Sequence, residues 1–183
     1  AQALPPDGSW PKALLINALV LSAFALQHSL MARQGFKRAW TKVIPKPVER
    51  STYVLFSSLA LLLVFRFWQP LPGVVWDVQS PAAKAILHAL FGLGWAMVLI
   101  STFLIDHFEL FGLKQVWTYF RNQSFQPPKF ASPAFYRIVR HPIYLGFIIA
   151  FWSTPRMTVH HLFFAVMTLG YILVAIQLEE RDL

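Results

Sequence analysis

Residues 85–105 read AILHALFGLGWAMVLISTFLI, a run with no Asp, Glu, Lys or Arg. At about 1.5 Å per helical residue this run reaches about 30 Å, the thickness of the hydrocarbon layer of a bilayer. Gly92 and Gly94 within it are small enough to let a second helix approach closely. This one stretch sets the expected fold class: an all-α, polytopic bundle of membrane helices.

The same reading extends to both sides. Ala13–Leu30 is uncharged apart from the possible charge of His28 and makes a first span. Ser51–Phe65 makes a second and continues through Arg66 to Trp68, where a long basic side chain snorkels and an indole sits at the headgroups. Ile143–Thr154 reaches only about 18 Å and is too short to cross alone. Pro155 interrupts it before Met157–Leu178 runs on for a full crossing. The expected arrangement is about five transmembrane helices, the last two forming a hairpin whose first arm begins around Pro142, a favourable first-turn residue.

Composition agrees. Of 183 residues 56% are hydrophobic and only 13% charged, with a mean hydropathy of +0.51. A soluble core of this length could not bury so much apolar surface, whereas lipid solvates it directly. Residues 1–183 are expected to form a single integral membrane domain, trimmed at both ends, because Ala1 opens the chain and Glu179-Glu180-Arg181-Asp182-Leu183 follows directly on an apolar run. No basic-then-apolar secretory pattern occupies the first ten residues. The formal charge of +8 is split by long uncharged runs and forms no continuous basic face, so nucleic acid is not the expected partner. The absence of cysteine excludes disulfides, zinc–thiolate sites and a cysteine nucleophile.

Orientation follows from the basic residues, which are retained in the cytoplasm. Arg33, Lys37, Arg38, Lys42, Lys46 and Arg50 follow the first span, Lys114, Arg121, Lys129, Arg137 and Arg140 follow the third, and Arg181 follows the last. Only Lys12, Arg66, Lys84 and Arg156 of the 16 Lys and Arg lie opposite. The richer face is therefore expected to be cytoplasmic. Gln27-His28, Asp106–Glu109, Arg140–Tyr144 and Glu179-Glu180 all fall at span ends on that face.

The most specific string is Arg140-His141-Pro142-Ile143-Tyr144-Leu145-Gly146, followed one hairpin later by Glu179-Glu180. In an antiparallel hairpin the start of one arm lies beside the end of the other, so Arg140 and His141 are expected to face the two glutamates. Taken singly, these residues read equally well as an interfacial ion pair, a helix-starting proline and a packing glycine. Ionisable groups at this depth are costly and tend to mark function.

The combination resembles the isoprenylcysteine carboxyl methyltransferase superfamily of membrane methyltransferases, in which an Arg-His-Pro-x-Tyr-x-Gly string and a later Glu-Glu pair flank a helical hairpin. Within that superfamily the chain is similar to the bacterial methanethiol S-methyltransferases. The likeness extends to Gln27-His28-Ser29, to Glu49-Arg50-Ser51-Thr52-Tyr53 and to Asp106-His107-Phe108-Glu109-Leu110-Phe111-Gly112-Leu113, and so covers most of the chain. Such proteins carry a further N-terminal span and a tail after the Glu-Glu pair that are not evident here.

The resemblance implies transfer of a methyl group from S-adenosylmethionine to a small thiol, methanethiol, giving dimethyl sulfide at the cytoplasmic face of a bacterial inner membrane. It implies that Arg140, His141, Pro142, Tyr144 and Gly146 form the cofactor pocket, with Glu179 and Glu180 contacting the cofactor or fixing Arg140. No Gly-rich loop on a strand is present, which argues against a Rossmann methyltransferase. The acceptor must be favoured as thiolate; His107 and His28 are the candidate bases, and Glu109 is placed to orient His107. Either histidine reads as well as a helix cap or a bridge between spans. The spacing of His28, His107, His141 and Glu109 is not diagnostic of a metal, and none is assigned.

The aromatic stretch from Phe111 to Tyr136 suits either a lid over the pocket or a segment lying on the headgroups, and Arg33–Arg50 suits contact with anionic membrane lipid. Alternatives to thiol methylation are carboxyl methylation of a lipid-linked substrate, a nicotinamide-dependent membrane reductase and a non-enzymatic membrane accessory protein.

Overall fold

The structure, a computed structural model, describes residues 10–125 and 140–181. In chain order it contains α1 (Trp10–Ala32), α2 (Gln34–Trp40), a 3₁₀ turn (Lys46–Val48), α3 (Glu49–Phe67), β1 (Val74–Asp77), α4 (Pro81–Ile105), α5 (His107–Leu110), α6 (Leu113–Phe120), α7 (Pro142–Trp152), β2 (Arg156–Thr158) and α8 (Val159–Arg181). Four of these helices, α1, α3 with its preceding turn, α4 and α8, are long and apolar enough to cross a bilayer, and α7 is a shorter apolar helix. The chain is a multi-pass helical membrane protein. In lipid each backbone N–H and C=O must be satisfied within its own segment, which explains why the expected spans fold as continuous helices. On α3, Leu55, Phe56, Leu59, Leu62, Leu63 and Phe65 are all exposed, as suits a helix whose solvent is hydrocarbon on most sides.

The chain divides into two compact units, residues 1–15, 69–102 and 132–183 in one and 16–68 and 103–131 in the other. In the first unit, α7 and α8 form the expected hairpin, and α7 packs on α4 at a pair of glycines. A Cβ on Gly94 would lie 2.6 Å from the Ala150 backbone nitrogen, and one on Gly146 would lie 2.8 Å from the Gly94 carbonyl oxygen. Only residues without a side chain permit this approach. At Gly92 an added Cβ would meet nothing within 4 Å, so Gly94 alone of the two performs the close contact expected of them. Trp95 of α4 closes over the same joint, edge-on to Phe147 at 5.8 Å and Phe151 at 6.1 Å.

The turn between α7 and α8 holds a feature the hydropathy pattern did not anticipate. Arg156–Thr158 pairs antiparallel with Val74–Asp77 in a two-stranded sheet, with Asp77 opposite Arg156 and an irregularity between Val74 and Trp76. Val74, Val75 and Trp76 are strand formers, but four residues are too short to show a period of two. The Trp76 indole donates to the Thr154 carbonyl at 3.0 Å, and Leu71 and Met157 are completely buried. This sheet ties down the turn that Pro155 forces.

In the second unit the strings at Glu49 and Asp106 meet. The Arg50 Nε donates to the Leu110 carbonyl at 2.9 Å, and the Ser51 hydroxyl to the Gly112 carbonyl at 3.0 Å. Gly112 has φ +77, and a Cβ there would lie 2.6 Å from the Ser51 nitrogen. A left-handed backbone and a close neighbour both demand glycine at this position. Leu113, Val116, Trp117 and Phe120 fall on one stripe of α6, which makes that short helix amphipathic. They line an open apolar cleft of about 1010 Å³ together with Val48, Ser51, Phe108 and the Asp106–Lys114 pair. Arg121 covers the Trp117 ring at 4.8 Å. Phe130 and Phe135 of the aromatic stretch, with Lys129 and Arg137, lie outside the described residues, as do Asp182 and Leu183.

Candidate active site

The hairpin brings its polar ends together. Pro142 opens α7 as its first residue, preceded by His141 in a non-helical conformation, and α8 runs to Arg181. His141 Nδ1 lies 3.6 Å from a Glu179 carboxylate oxygen and Nε2 lies 3.7 Å from Glu180. The Tyr144 hydroxyl donates to Glu179 at 2.5 Å, and its ring stacks on His141 at 5.6 Å between centroids. Arg140 reaches Glu180 at 3.9 Å with a side chain that is 86% exposed. One imidazole therefore sits between two carboxylates, backed by a phenol ring and approached by an exposed guanidinium. Pro142 is fully buried, and Gly146, one turn further on, faces Gly94 and Val98 of α4. The close approach that Gly146 allows sets where the first turn of α7, and so Tyr144, stands.

His28 and His107 belong to the second unit. The Tyr53 hydroxyl lies 2.8 Å from His28 Nε2 and 3.0 Å from Nδ1, and the Ser57 hydroxyl lies 3.2 Å from Nδ1. Phe24 stacks on the same imidazole at 5.4 Å. Gln27 donates to the Met31 sulfur at 3.1 Å, and its buried carbonyl oxygen has no partner among the described residues. His107 is packed differently, parallel to Phe103 at 4.4 Å and tilted against Phe111 at 4.7 Å. The Glu109 backbone is tied to its own segment: its N–H donates to Asp106 and its carbonyl accepts from Gln115 at 3.2 Å.

Asp106 holds that segment. It adopts φ 93, a left-handed conformation that is strained for a residue with a side chain, and aspartate is among the few that tolerate it. One carboxylate oxygen accepts from the Glu109 N–H at 3.1 Å as the helix cap, and the other accepts from Lys114 Nζ at 2.6 Å. The Lys114 hydrogen bond holds the Asp106 carboxyl below the usual aspartate range and lifts the Lys114 ammonium above its usual value. The depressed carboxyl contributes stability in full above the unfolded aspartate value and loses it as pH falls through the lower folded value. The raised ammonium contributes in full below the unfolded lysine value and loses it as pH rises through the higher folded one, so the pair acts between about pH 4 and pH 10. Asp106→Asn keeps the cap and the backbone tolerance but removes the charge. Its melting temperature in detergent is expected to lie below wild type at pH 7 and to converge on it as pH falls from about 4 through the lower folded value, where the native carboxyl also takes up its proton. A gap that persists unchanged into acid overturns the role given to the ion pair.

Sequence pattern thus located both charged strings of the hairpin, and the structure joins them. It did not identify Tyr53 and Ser57 as partners of His28. The available signal was their i, i+4 spacing, which puts both on one face of α3. It also left Lys114 unassigned, although Asp106 and Lys114 flank a short segment closed by Gly112.

No protein-family model matches the chain, and no solved structure matches it with significance. Curated sequences do. A methanethiol S-methyltransferase of Crocosphaera subtropica is 59% identical over 171 residues, covering 93% of this chain and 67% of that protein. Another from Mycobacterium tuberculosis is 56% identical over 94% of this chain and 70% of its own length. A third from a Pseudomonas species is 53% identical over 97% and 68% respectively. This chain spans about two thirds of the length of each. Identity above one half, sustained along nearly all of a chain whose charged motifs meet at the foot of a helical hairpin, establishes that it belongs to the methanethiol S-methyltransferase family.

Proposed function

We propose that this protein transfers the methyl group of S-adenosylmethionine to methanethiol, forming dimethyl sulfide, at the cytoplasmic face of a bacterial inner membrane. The observation that supports this reading most is the junction of Arg140, His141 and Tyr144 with Glu179 and Glu180 at the foot of the hairpin. S-adenosylmethionine supplies an electrophilic methyl on a positively charged sulfonium, together with an ammonium, a carboxylate and a flat adenine. The donor set suits each part. Glu179 and Glu180 provide negative charge for the cationic end, the exposed Arg140 guanidinium provides a partner for the carboxylate, and the stacked His141 and Tyr144 rings provide a flat wall. Pro142 and Gly146 act on backbone position, one by starting α7 and the other by seating it on α4.

The thiol reacts as its thiolate, a minor form near neutral pH, so a base is required. His28 and His107 are the candidates in this reading, with Glu109 on the His107 segment. His28 lies beside the Tyr53 and Ser57 hydroxyls, and His107 stacks against Phe103 and Phe111. The excess of Lys and Arg beside these helix ends supports the cytoplasmic placement and contact with anionic lipid.

The test is direct. Membranes carrying the protein, supplied with methanethiol, are expected to release dimethyl sulfide into the headspace only when S-adenosylmethionine is added. No cofactor-dependent dimethyl sulfide, in membranes where the protein is present and folded, would overturn the assignment.

A further inference from the structure

We propose that the open cleft beside α6 holds an acyl chain of an anionic phospholipid, with Lys46 and Arg121 on its phosphate. The inference concerns the second unit alone, to which every residue lining the cleft belongs, and it stands apart from the thiol-methylation reading. The level of the cleft follows from the span it is tied to. α3 and the turn before it are long and apolar enough to cross a bilayer, so the first turn of α3 lies at a membrane boundary. Arg50 and Ser51, in that turn, donate to the carbonyls of Leu110 and Gly112, which fixes the start of α6 at the same boundary. There α6 leaves its apolar stripe open: Leu113 and Trp117 are each more than half exposed, and Phe120 is 79% exposed. Such a patch is unfavourable against water, whereas acyl chains at the edge of the hydrocarbon layer solvate it. The cleft of about 1010 Å³ adds walls from Val48 and Phe108, so that a chain is enclosed on more than the one side a bare helix offers.

Charge selects the lipid. In this unit Arg33–Arg50 carries six basic residues against the single acid Glu49, and on the segment from Asp106 to Arg121 two acids balance two bases. Lys114, at the cleft wall, is occupied by Asp106. Two other cations stand next to lining residues, and among the described residues neither is paired with a carboxylate. Lys46 is exposed and belongs to the same 3₁₀ turn as Val48. Arg121 is exposed, follows Phe120 directly and lies over the Trp117 ring at 4.8 Å, which keeps its guanidinium against the wall of the cleft. An ammonium and a guanidinium beside an apolar slot suit a phosphate that carries a hydrocarbon chain. A free phosphate would engage the charges and leave the slot empty, and a zwitterionic headgroup would bring its own cation against them.

The experiment places the full chain in phosphatidylcholine nanodiscs and adds rising fractions of phosphatidylglycerol brominated in its acyl chains. Bromine quenches tryptophan on contact, and the signal of Trp117 is the difference between wild type and Trp117→Phe. Each basic residue near an anionic headgroup contributes about fivefold, so brominated phosphatidylglycerol is expected to quench Trp117 at a fraction about 25-fold below that needed with brominated phosphatidylcholine. The pair Lys46→Gln with Arg121→Gln is expected to erase that preference, and the pair Lys46→Arg with Arg121→Lys, which keeps both charges, is expected to retain it. Equal quenching by the two lipids in wild type shows annular lipid only and overturns the proposal. A preference that survives the glutamine pair, or is lost equally in both pairs, overturns it too, because charge at these positions is then not its source. No quenching by either lipid means that protein, such as a second copy of the chain, covers the cleft, which is also a refutation. Glycerol 3-phosphate has the phosphate without the chains and is expected to leave the quenching unchanged; if it displaces the lipid, the cations serve a soluble anion and the lipid site is overturned.

Discussion

Replacing both Glu179 and Glu180 with alanine is expected to weaken S-adenosylmethionine binding by about 100-fold or more, because each carboxylate offers charge-assisted hydrogen bonds worth about 1.5–3 kcal/mol. Glu179 anchors Tyr144 and one nitrogen of His141, and Glu180 anchors the other nitrogen and Arg140. Removing either frees part of the wall as well as the charge. Calorimetric titration of the purified protein with S-adenosylmethionine measures the loss directly. The thermal melting point is expected to change little, since these groups are largely solvent-accessible and exposed ion pairs contribute about 0–1 kcal/mol. A double variant that binds the cofactor normally would remove the hairpin from the binding site.

The second large effect concerns packing. Gly146→Ala adds a Cβ that would lie 2.8 Å from the Gly94 oxygen and 3.0 Å from the Val98 backbone nitrogen. Backbone atoms within a helix have no alternative rotamer, so α7 must move away from α4. Overpacking of this kind costs about 1–3 kcal/mol, and at about 2–4 °C per kcal/mol for a chain of this size the melting temperature is expected to fall by roughly 3–10 °C. Cofactor affinity is expected to fall with it, because Tyr144 and His141 ride on the first turn of α7. Gly92→Ala and Gly170→Ala are the controls. A Cβ meets nothing within 4 Å at either position, and alanine is the better helix former by about 1 kcal/mol, so both are expected to melt at or above wild type. Equal melting of all three variants would refute the glycine joint.

Much of this was legible before any coordinates. The four long spans and the short α7 follow from uncharged runs measured against a fixed bilayer thickness; the structure lengthens the first and third spans, ends α7 at Trp152 instead of Thr154, and starts the last span at Val159 instead of Met157 because Arg156–Thr158 is taken into β2. The junction at Arg140, His141, Glu179 and Glu180 was legible because an antiparallel hairpin is a local, nearly one-dimensional object: arm length alone decides which residues face each other. Gly94 and Gly92 show the limit. Both satisfied the same small-residue rule, but only the helix rotation decides which one meets α7.

What the sequence by itself determined is therefore whatever depends on solvent and on neighbours along the chain: a helical membrane bundle, its excess of basic residues beside certain span ends, and a hairpin closing its charged ends on each other. The tertiary structure alone decided the pairs that join distant segments. Tyr53 and Ser57 meet His28, Arg50 and Ser51 clasp the Leu110–Gly112 turn, and Val74–Asp77 finds Arg156–Thr158. The physical reason is that hydropathy reports the free energy of moving a segment between water and lipid. It carries no information on how a helix turns about its own axis once lipid surrounds it, and that rotation selects which hydroxyl an imidazole meets.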